Sequence, residues 1–498
     1  MSDSLTEAAI AFRDLLDLAS ENAGASVLAA SDDFFAPKEN LIKPADPVFI
    51  AGKYTDRGKW MDGWESRRKR QPGHDWVVIR LGAPGVIRGV VVDTRCFTGN
   101  YPEQMSLEAC TARVNVPVDD LEGWTEVVPK SPLRGDSLNP FAVTSPRRYT
   151  HVRLNAFPDG GVARLRVHGQ AMPDWRDLSP EADLAAAECG GAVVLSSDQH
   201  YGHPQNLIMP GAGRNMGDGW ETRRRRGPGH DWVILRLAAE GIIARVEVDT
   251  SHFKGNFPDA CSLEVSPGDF RGSDSVPGED SWAEILPRTR LLGNTRHVFR
   301  QELRTSCAAR LARFNIYPDG GVSRLRLFGH LTEDGRVQAN LAGLNAAAPE
   351  QAVADLLRCG GSSAWARSMA AGRPFTDPAA LEAAAHAVWN QCSREDWLEA
   401  FAAHPRIGER TRGDWPQEEQ SRAANAGEET RRKLEVLNGR YAQQFGYVFI
   451  VCATGKTAEE MLDMLERRLE NPPADEIRHA AEQQRLITQL RLRKLLRE

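Results

Sequence analysis

The sequence predicts a multidomain chain, with two tandem all-β jelly-roll or β-sandwich repeats followed by an all-α domain. Asp62-Gly-Trp-Glu65 and Pro72-Gly-His-Asp-Trp76 return as Asp218-Gly-Trp-Glu221 and Pro228-Gly-His-Asp-Trp232, every residue displaced by 156 positions. Around these blocks lie short apolar runs punctuated by Pro-Asp-Gly turns, as antiparallel strands require. Beyond Gly329 the composition turns to Ala, Leu, Glu and Arg at helical spacing. Domains are therefore expected at 25–170, 190–330 and 344–498, with 330–343 as linker.

The elements follow in order. Ala9, Phe12, Leu15, Leu16 and Ala19 predict a short helix within residues 1–25. Ser31-Asp32 resembles Ser197-Asp198, and Asn40-Leu41 matches Asn206-Leu207 at an offset of 166. The offset falls to 156 by Asp62, which places ten extra residues of the first repeat within 42–61. A strand is expected over Trp76–Leu81, a turn at Ala83-Pro-Gly85 and a second strand over Val86–Asp93. The second repeat writes the same with Trp232–Leu237, a turn at Glu240-Gly241 and Ile242–Asp249. Each repeat closes on an expected hairpin, turning at Pro158-Asp-Gly-Gly161 and Pro318-Asp-Gly-Gly321. In the last domain Trp397, Phe401 and His404 share a helical stripe. Thr457-Ala-Glu-Glu460 reads as a capping box, with a stop at Pro472-Pro473.

Composition narrows the function classes. Among 498 residues, 41% are apolar and 26% charged, and 62 Lys and Arg stand against 68 Asp and Glu for a net charge of −6. That balance argues against a general nucleic-acid or anionic-membrane surface. The eight cysteines form no CxxC or repeating pair and are expected as reduced thiols. There is no charged-then-apolar leader pattern and no apolar run of membrane-spanning length. A cytoplasmic location is the expectation.

The repeated blocks carry chemistry as well as core. Trp64 and Trp76 suit core or pocket walls. The basic runs Arg67–Arg70 and Arg223–Arg226 read either as solvated loop charge or as anion ligands, and His74 and Asp75 either as turn caps or as reactive groups. Yet Asp62, Glu65, His74 and Asp75 gather four titratable groups within fourteen positions, and Asp218, Glu221, His230 and Asp231 repeat them. Gly63 and Gly73 would let backbone approach a ligand closely. Arginines suit a carboxylate or ureido oxygen through paired hydrogen bonds. A second repeated block, Asp93-Thr94 with Phe97, Gly99, Asn100 and Pro102, matches Asp249-Thr250 with Phe253, Gly255, Asn256 and Pro258.

On these blocks residues 25–330 resemble the allantoicase family. The resemblance implies hydrolysis of allantoate to ureidoglycolate and urea. Breaking the central C–N bond needs an acid for departing urea and a base for water. His74, Asp75, Asp62 and Glu65, or His230, Asp231, Asp218 and Glu221, are the candidates, with Arg67 and Arg223 for the substrate. A divalent metal is a further expectation for this half, although no HxD spacing supports it. His252 stands where the first repeat has Cys96, a sign of asymmetry.

In the helical domain, Arg491 shares a face with Ile487 and Leu495, and a charge there needs a carboxylate or an anionic ligand. His404 precedes Pro405 at a helix end, and by position alone reads as a core histidine. Glu419-Gln-Ser421 alone would be helix surface. Cys359-Gly-Gly-Ser-Ser-Ala-Trp365, Arg373-Pro-Phe375, His404-Pro-Arg-Ile-Gly408, Glu419-Gln-Ser421, Leu437-Asn438 with Tyr441, Phe445-Gly-Tyr-Val-Phe-Ile-Val451 and Leu490-Arg-Leu492 together resemble the 2-oxo-4-hydroxy-4-carboxy-5-ureidoimidazoline (OHCU) decarboxylases. The resemblance implies an all-α, cofactor-free domain that makes (S)-allantoin. It also implies His404 as catalytic histidine, Glu419 as its carboxylate partner and Arg491 as substrate clamp. Pro405, Gln420, Phe445, Gly446 and Phe449 would line the substrate. The short loop between Gly408 and Trp415 departs from the family pattern at the approach to Glu419. Cys359 is expected to be structural.

The expected protein is thus a bifunctional ureide-catabolism enzyme, a hydrolase and a carboxy-lyase whose partners are small ureides and further copies of itself. Allantoin would need opening by a separate enzyme before the sandwiches could act on it, so direct channelling is not expected. The competing reading makes the sandwiches a ureide- or sugar-binding assembly module. The surplus of Arg over exposed-looking Tyr favours an anionic ligand.

Overall fold

The computed structural model describes residues 12, 15–113, 115–268, 277–305, 307–404, 428–454 and 456–498. They fall into two compact units, Met1–Arg336 and Val337–Glu498.

Each repeat in the first unit is an antiparallel sandwich built around one long strand. The first repeat contains β1 (Leu16–Asp17), β2 (Ser26–Ala30), β3 (Asp75–Asp93), β4 (Gln104–Cys110), β5 (Thr125–Pro132), β6 (Leu138–Ala142), β7 (Arg148–Phe157) and β8 (Arg164–Ala171). The N-terminal half of β3 pairs with β2 and β7, as Ser26 opposite Arg80 and Val152 opposite Ile79. Its C-terminal half pairs with β6 and β8, as Val91 opposite Pro140 and Val90 opposite Val167. One strand thereby serves both sheets, and its alternating apolar residues, Val77, Ile79, Ile87, Val90 and Val92, reach the core.

The second repeat copies this with β9 (Ala182–Asp183), β10 (Ala192–Ser196), β11 (Asp231–Asp249), β12 (Ala260–Ser266), β13 (Ala283–Arg290), β14 (Arg296–Phe299), β15 (Ala309–Tyr317) and β16 (Arg324–Leu331).

Three expectations change here. The two strands predicted on either side of Gly85 are one continuous strand, because Gly85 packs against neighbouring backbone within the bend. A Cβ there would lie 2.6 Å from the Gln170 carbonyl oxygen. The predicted closing hairpin is not a hairpin. β7 pairs with β3 and β4 while β8 pairs with β3 and β1, so Pro158–Gly161 crosses between sheets. The helix predicted within residues 1–25 gives way to β1 and a short 3-10 turn at Glu21–Ala23 in the described part, because Leu16 is claimed by the β8 edge. Residues 1–11, 13 and 14 of that prediction lie outside the described residues. The inserted segment 42–61 is present and carries a small hairpin, Tyr54–Thr55 against Gly58–Lys59.

The described residues from Glu333 onward form eight helices: α1 (Glu333–Ala346), α2 (Pro349–Gly360), α3 (Ser363–Ala371), α4 (Pro378–Trp389), α5 (Arg394–Ala402), α6 (Glu428–Phe445), α7 (Ala458–Arg468) and α8 (Pro473–Arg497). Most of the segment expected as linker is thus α1. The capping box is present: the Thr457 side chain accepts from the Glu460 N–H and Glu460 reaches back to the Thr457 N–H. Trp365, Phe401, Leu381 and Leu356 are fully buried in the helical core. No helix among the described residues is long and apolar enough to cross a membrane.

Candidate functional sites

The repeated Trp64 and Trp220 are wholly buried and hold the blocks in place, each indole N–H donating to the carbonyl of Asp32 or Asp198 at 2.8 Å. Gly63 is small for its own chain rather than for a ligand. A Cβ there would meet the Val162 carbonyl at 2.6 Å and the Phe97 ring at 2.8 Å. Phe97 is buried beneath it, so the second repeated block is part of the same plug.

The titratable side chains of the first repeat go to different partners. Asp62 is buried, and its Oδ2 accepts from Arg164 Nη2 at 2.8 Å and from the Val48 N–H at 3.1 Å. Burial works to raise the Asp62 pKa, but these donors outweigh it and hold the carboxyl below the usual range. Glu65 accepts from Asn100 at 2.7 Å, and burial raises its pKa. Asp75 opens β3 fully buried, taking Lys69 Nζ at 2.5 Å and the Ser31 hydroxyl at 2.8 Å. His74 is exposed and rests on Phe157, ring centroids 4.6 Å apart. Arg67 is exposed and bound to Asp32 at 2.7 Å. The basic run is therefore divided, with Lys69 directed inward and Arg67 at the surface.

The second repeat keeps some of these bonds and changes others. Asn256 donates to Glu221 at 2.6 Å, and Asp231 accepts from Ser197 at 3.0 Å and from Arg225. His230 rests on Tyr317 and its Nε2 meets Asn315 Oδ1 at 3.2 Å, while Asn315 donates to Glu264 at 2.8 Å. Arg223 meets His200 at 3.1 Å. Asp218, however, turns its carboxylate to Arg214 at 2.9 Å. The hydrogen bonds from Arg214, set against modest burial, hold its pKa low. Arg324, the twin of Arg164, donates to the Asp218 backbone oxygen at 2.6 Å instead.

The expected metal does not fit these donors. Among the described residues no three His, Cys, Asp or Glu side chains converge to hold an ion, and Asp62, Asp75, Asp218 and Asp231 are each engaged by a cation.

Sequence reading missed Arg324 and Arg326, together with Arg164 and Arg166. They sit at alternate positions of β16 and β8, on one face of each strand. The repeated Arg-Leu-Arg in otherwise apolar strands was the available signal.

In the helical unit Arg491 is buried on α8 among Ile487, Leu492 and Leu495. It lies close enough to Cys359 of α2 for its charge to act on that thiol, which burial nevertheless pushes up to about 12. His404 follows the end of α5, its N–H donating to the Phe401 carbonyl at 3.1 Å, and Phe401 packs on Tyr447. Pro405, Glu419 and Gln420 lie outside the described residues. Gly446 ends α6 in a left-handed conformation, φ 81°, and its N–H donates to Ala442 at 3.0 Å. The Gly446 N–H is thus used in capping the helix. Phe445 packs on Tyr441, and Phe449 is buried between Tyr441 and Arg468. Both belong to an aromatic cluster around the buried Arg468–Glu476 pair.

The fold is that of a tandem-repeat β-sandwich protein with an all-α domain after the second repeat. The allantoicase-repeat profile matches residues 16–172 and 182–332, and the OHCU decarboxylase profile matches residues 345–493. A probable allantoicase of Burkholderia mallei is 50% identical over 64% of this chain and 95% of its own. The crystal structure of Saccharomyces cerevisiae allantoicase aligns with TM-score 0.55 and 33% identity over 66% of this chain and 97% of its own. A crystal structure of OHCU decarboxylase in the presence of (S)-allantoin is 38% identical over 29% of this chain and 98% of its own, with TM-score 0.27. The chain belongs to the allantoicase family and carries an OHCU decarboxylase domain after its two allantoicase repeats.

Proposed function

We propose that the sandwich pair hydrolyses allantoate to (S)-ureidoglycolate and urea, and that the helical domain decarboxylates OHCU to (S)-allantoin. In the first reaction water adds at the central carbon, the C–N bond breaks and urea departs with a proton. The candidate acids and bases are His74, Asp75, Asp62 and Glu65 with His230, Asp231, Asp218 and Glu221. Asp62 and Asp75 are buried in ion pairs, which suits them to structure more than to proton transfer. The observation that carries the reading for this half is the contrast between the two repeated aspartates. Asp218 holds a half-buried carboxylate paired with the exposed Arg214, where that of Asp62 is buried with Arg164.

For the second reaction, Arg491 supports the reading as the group that holds the substrate carboxylate, since its guanidinium is buried within an apolar face of α8. Loss of CO2 leaves charge on the ring, and His404 is the group proposed to stabilise or protonate it. Glu419 is proposed as its carboxylate partner. The domain works without a cofactor in this reading, in a cytoplasmic homo-oligomer.

The test separates the halves. The purified chain is expected to release urea from allantoate and to convert OHCU to allantoin. His404→Asn should abolish only the second activity. Unchanged decarboxylation in that variant overturns the His404 assignment, and no urea from the wild-type chain, with or without Mn2+ or Zn2+, overturns the first reaction.

A further inference from the structure

We propose that a cleft in the second repeat, lined by Asp183, Glu188, Asp249, Arg296, Arg324 and Arg326, binds a small ureido carboxylate and is the substrate site of the allantoicase half. The proposal rests on the allantoate reading and names the repeat in which that substrate sits.

The cleft has a volume of about 340 Å³, enough for a compact polar ligand. β16 supplies Arg324 and Arg326 at alternate positions, and β11 supplies Glu247 and Asp249 in the same way. The loop at Gly211–Ala212 forms another wall. Asp218 is anchored at this place through its backbone bond to Arg324.

The neighbouring loop is held alike in both repeats, Arg324 donating to the Gly211 carbonyl at 3.1 Å and Arg326 to those of Met209 and Gly211. Arg166 donates to the carbonyls of Lys43 at 2.6 Å and Pro44 at 3.1 Å, Arg164 to that of Ala45 at 2.9 Å, and Asp46 pairs with Arg95. The longer loop of the first repeat begins here. Strand register and repeat offset equate Glu188, Glu247, Arg296 and Ser323 with Asn22, Val91, Leu138 and Ala163. The second repeat therefore places charged groups, Glu188, Glu247 and Arg296, where the first has Asn22, Val91 and Leu138.

Two of the lining groups are incompletely satisfied within the protein. Arg326 Nη1 and Glu188 Oε2 are buried without a hydrogen-bond partner, although Arg326 Nη2 reaches the Met209 and Gly211 carbonyls. Buried polar groups of this kind are costly and are normally paired. One is a donor suited to a carboxylate and the other a carboxyl suited to a ureido N–H. An inorganic anion would answer the guanidinium alone. Burial also pushes the Asp183 and Glu188 carboxyls up, which lessens the negative charge facing an incoming carboxylate.

The test uses the full chain and hydantoate (N-carbamoylglycine), a ureido carboxylate without a second ureido group, as the titration probe. Glu188→Asn and Arg296→Leu install the first-repeat residues. Each should weaken hydantoate binding by about tenfold, as loss of a charged hydrogen bond does, and raise the KM for allantoate to match. Asn22→Ala in the first repeat should leave both values unchanged. OHCU decarboxylation by the same samples reports on the chain's integrity, and circular dichroism reports on the sandwiches. Hydantoate affinity and allantoate KM both unchanged in Glu188→Asn and Arg296→Leu, with wild-type urea release intact, would overturn the cleft assignment alone. Absence of wild-type urea release, with hydantoate binding still sensitive to Glu188, would overturn the allantoate reading and leave the ligand site standing.

Discussion

Arg164 donates to the Asp62 carboxylate at 2.8 Å inside the first sandwich, with both side chains buried. Their twins in the second repeat, Arg324 and Asp218, meet only through the Asp218 backbone oxygen, and the Asp218 carboxylate faces the exposed Arg214. The same motif residues thus form a buried ion pair in one repeat and part company in the other, where Asp218 pairs with Arg214 and Arg324 lines the cleft.

Stability should expose that difference. Asp62→Ala strands a buried guanidinium and is expected to cost about 3–5 kcal/mol, whereas Asp218→Ala should cost about 0–1 kcal/mol. Because the folded Asp62 pKa is depressed, its contribution is present above the ordinary aspartate pKa and lost as pH falls through the folded value. The Asp62→Ala penalty should therefore shrink in acid. Urea unfolding at neutral and acidic pH checks this, and equal penalties for the two variants would contradict it.

Glu65 has the opposite sign. Burial raises its folded pKa, so its contribution is present below the ordinary glutamate pKa and lost as pH rises through the folded value. Glu65→Gln keeps an oxygen for Asn100 and removes the charge. Thermal denaturation should find the variant relatively more stable at pH 7 than at pH 4 when compared with the unaltered chain. A larger loss at pH 7 would refute the sign.

The helical unit has its own buried charge cluster. Glu476 is wholly buried and accepts from Arg468 Nε at 2.8 Å, from Asn471 at 2.6 Å and from the Tyr441 hydroxyl. Glu476→Ala should destabilise the helical domain by about 3–5 kcal/mol, because it leaves Arg468 buried without that carboxylate. Calorimetry should show the helical transition lowered and the sandwich transition unmoved.

Cys359 tests the structural reading of its motif. A buried thiol pushed up to about 12 carries almost no thiolate at neutral pH, and the thiolate is the nucleophile. Cys359→Ala should decarboxylate OHCU within about twofold of the unaltered chain, and native Cys359 should resist iodoacetamide while the exposed Cys307 reacts. A large rate loss without loss of folding would assign the sulfur a chemical role.

Much of the architecture was legible in residue order. The repeat offsets located the inserted loop, turn chemistry predicted β-rich repeats, and the Thr457 capping box is formed as its spacing implied. Arg491 sits on the buried face that its apolar neighbours predicted. The site in the sandwiches was less legible. Asp62, Glu65, His74 and Asp75 lie close in sequence, yet Arg164, Asn100, Phe157 and Lys69 draw them to separate places. Proximity along an irregular segment does not set side-chain direction, and three of those four partners lie on other elements.

The sequence by itself determined the two-part organisation, the duplication and both family memberships, because these follow from residue identity, spacing and local periodicity. Tertiary structure decided that β3 and β11 each join two sheets, and that Glu188, Arg296 and Arg326 of the second repeat line one cleft. Those outcomes depend on backbone and side-chain groups separated by roughly a hundred residues competing for the same hydrogen bonds. Local patterns carry no record of which one wins.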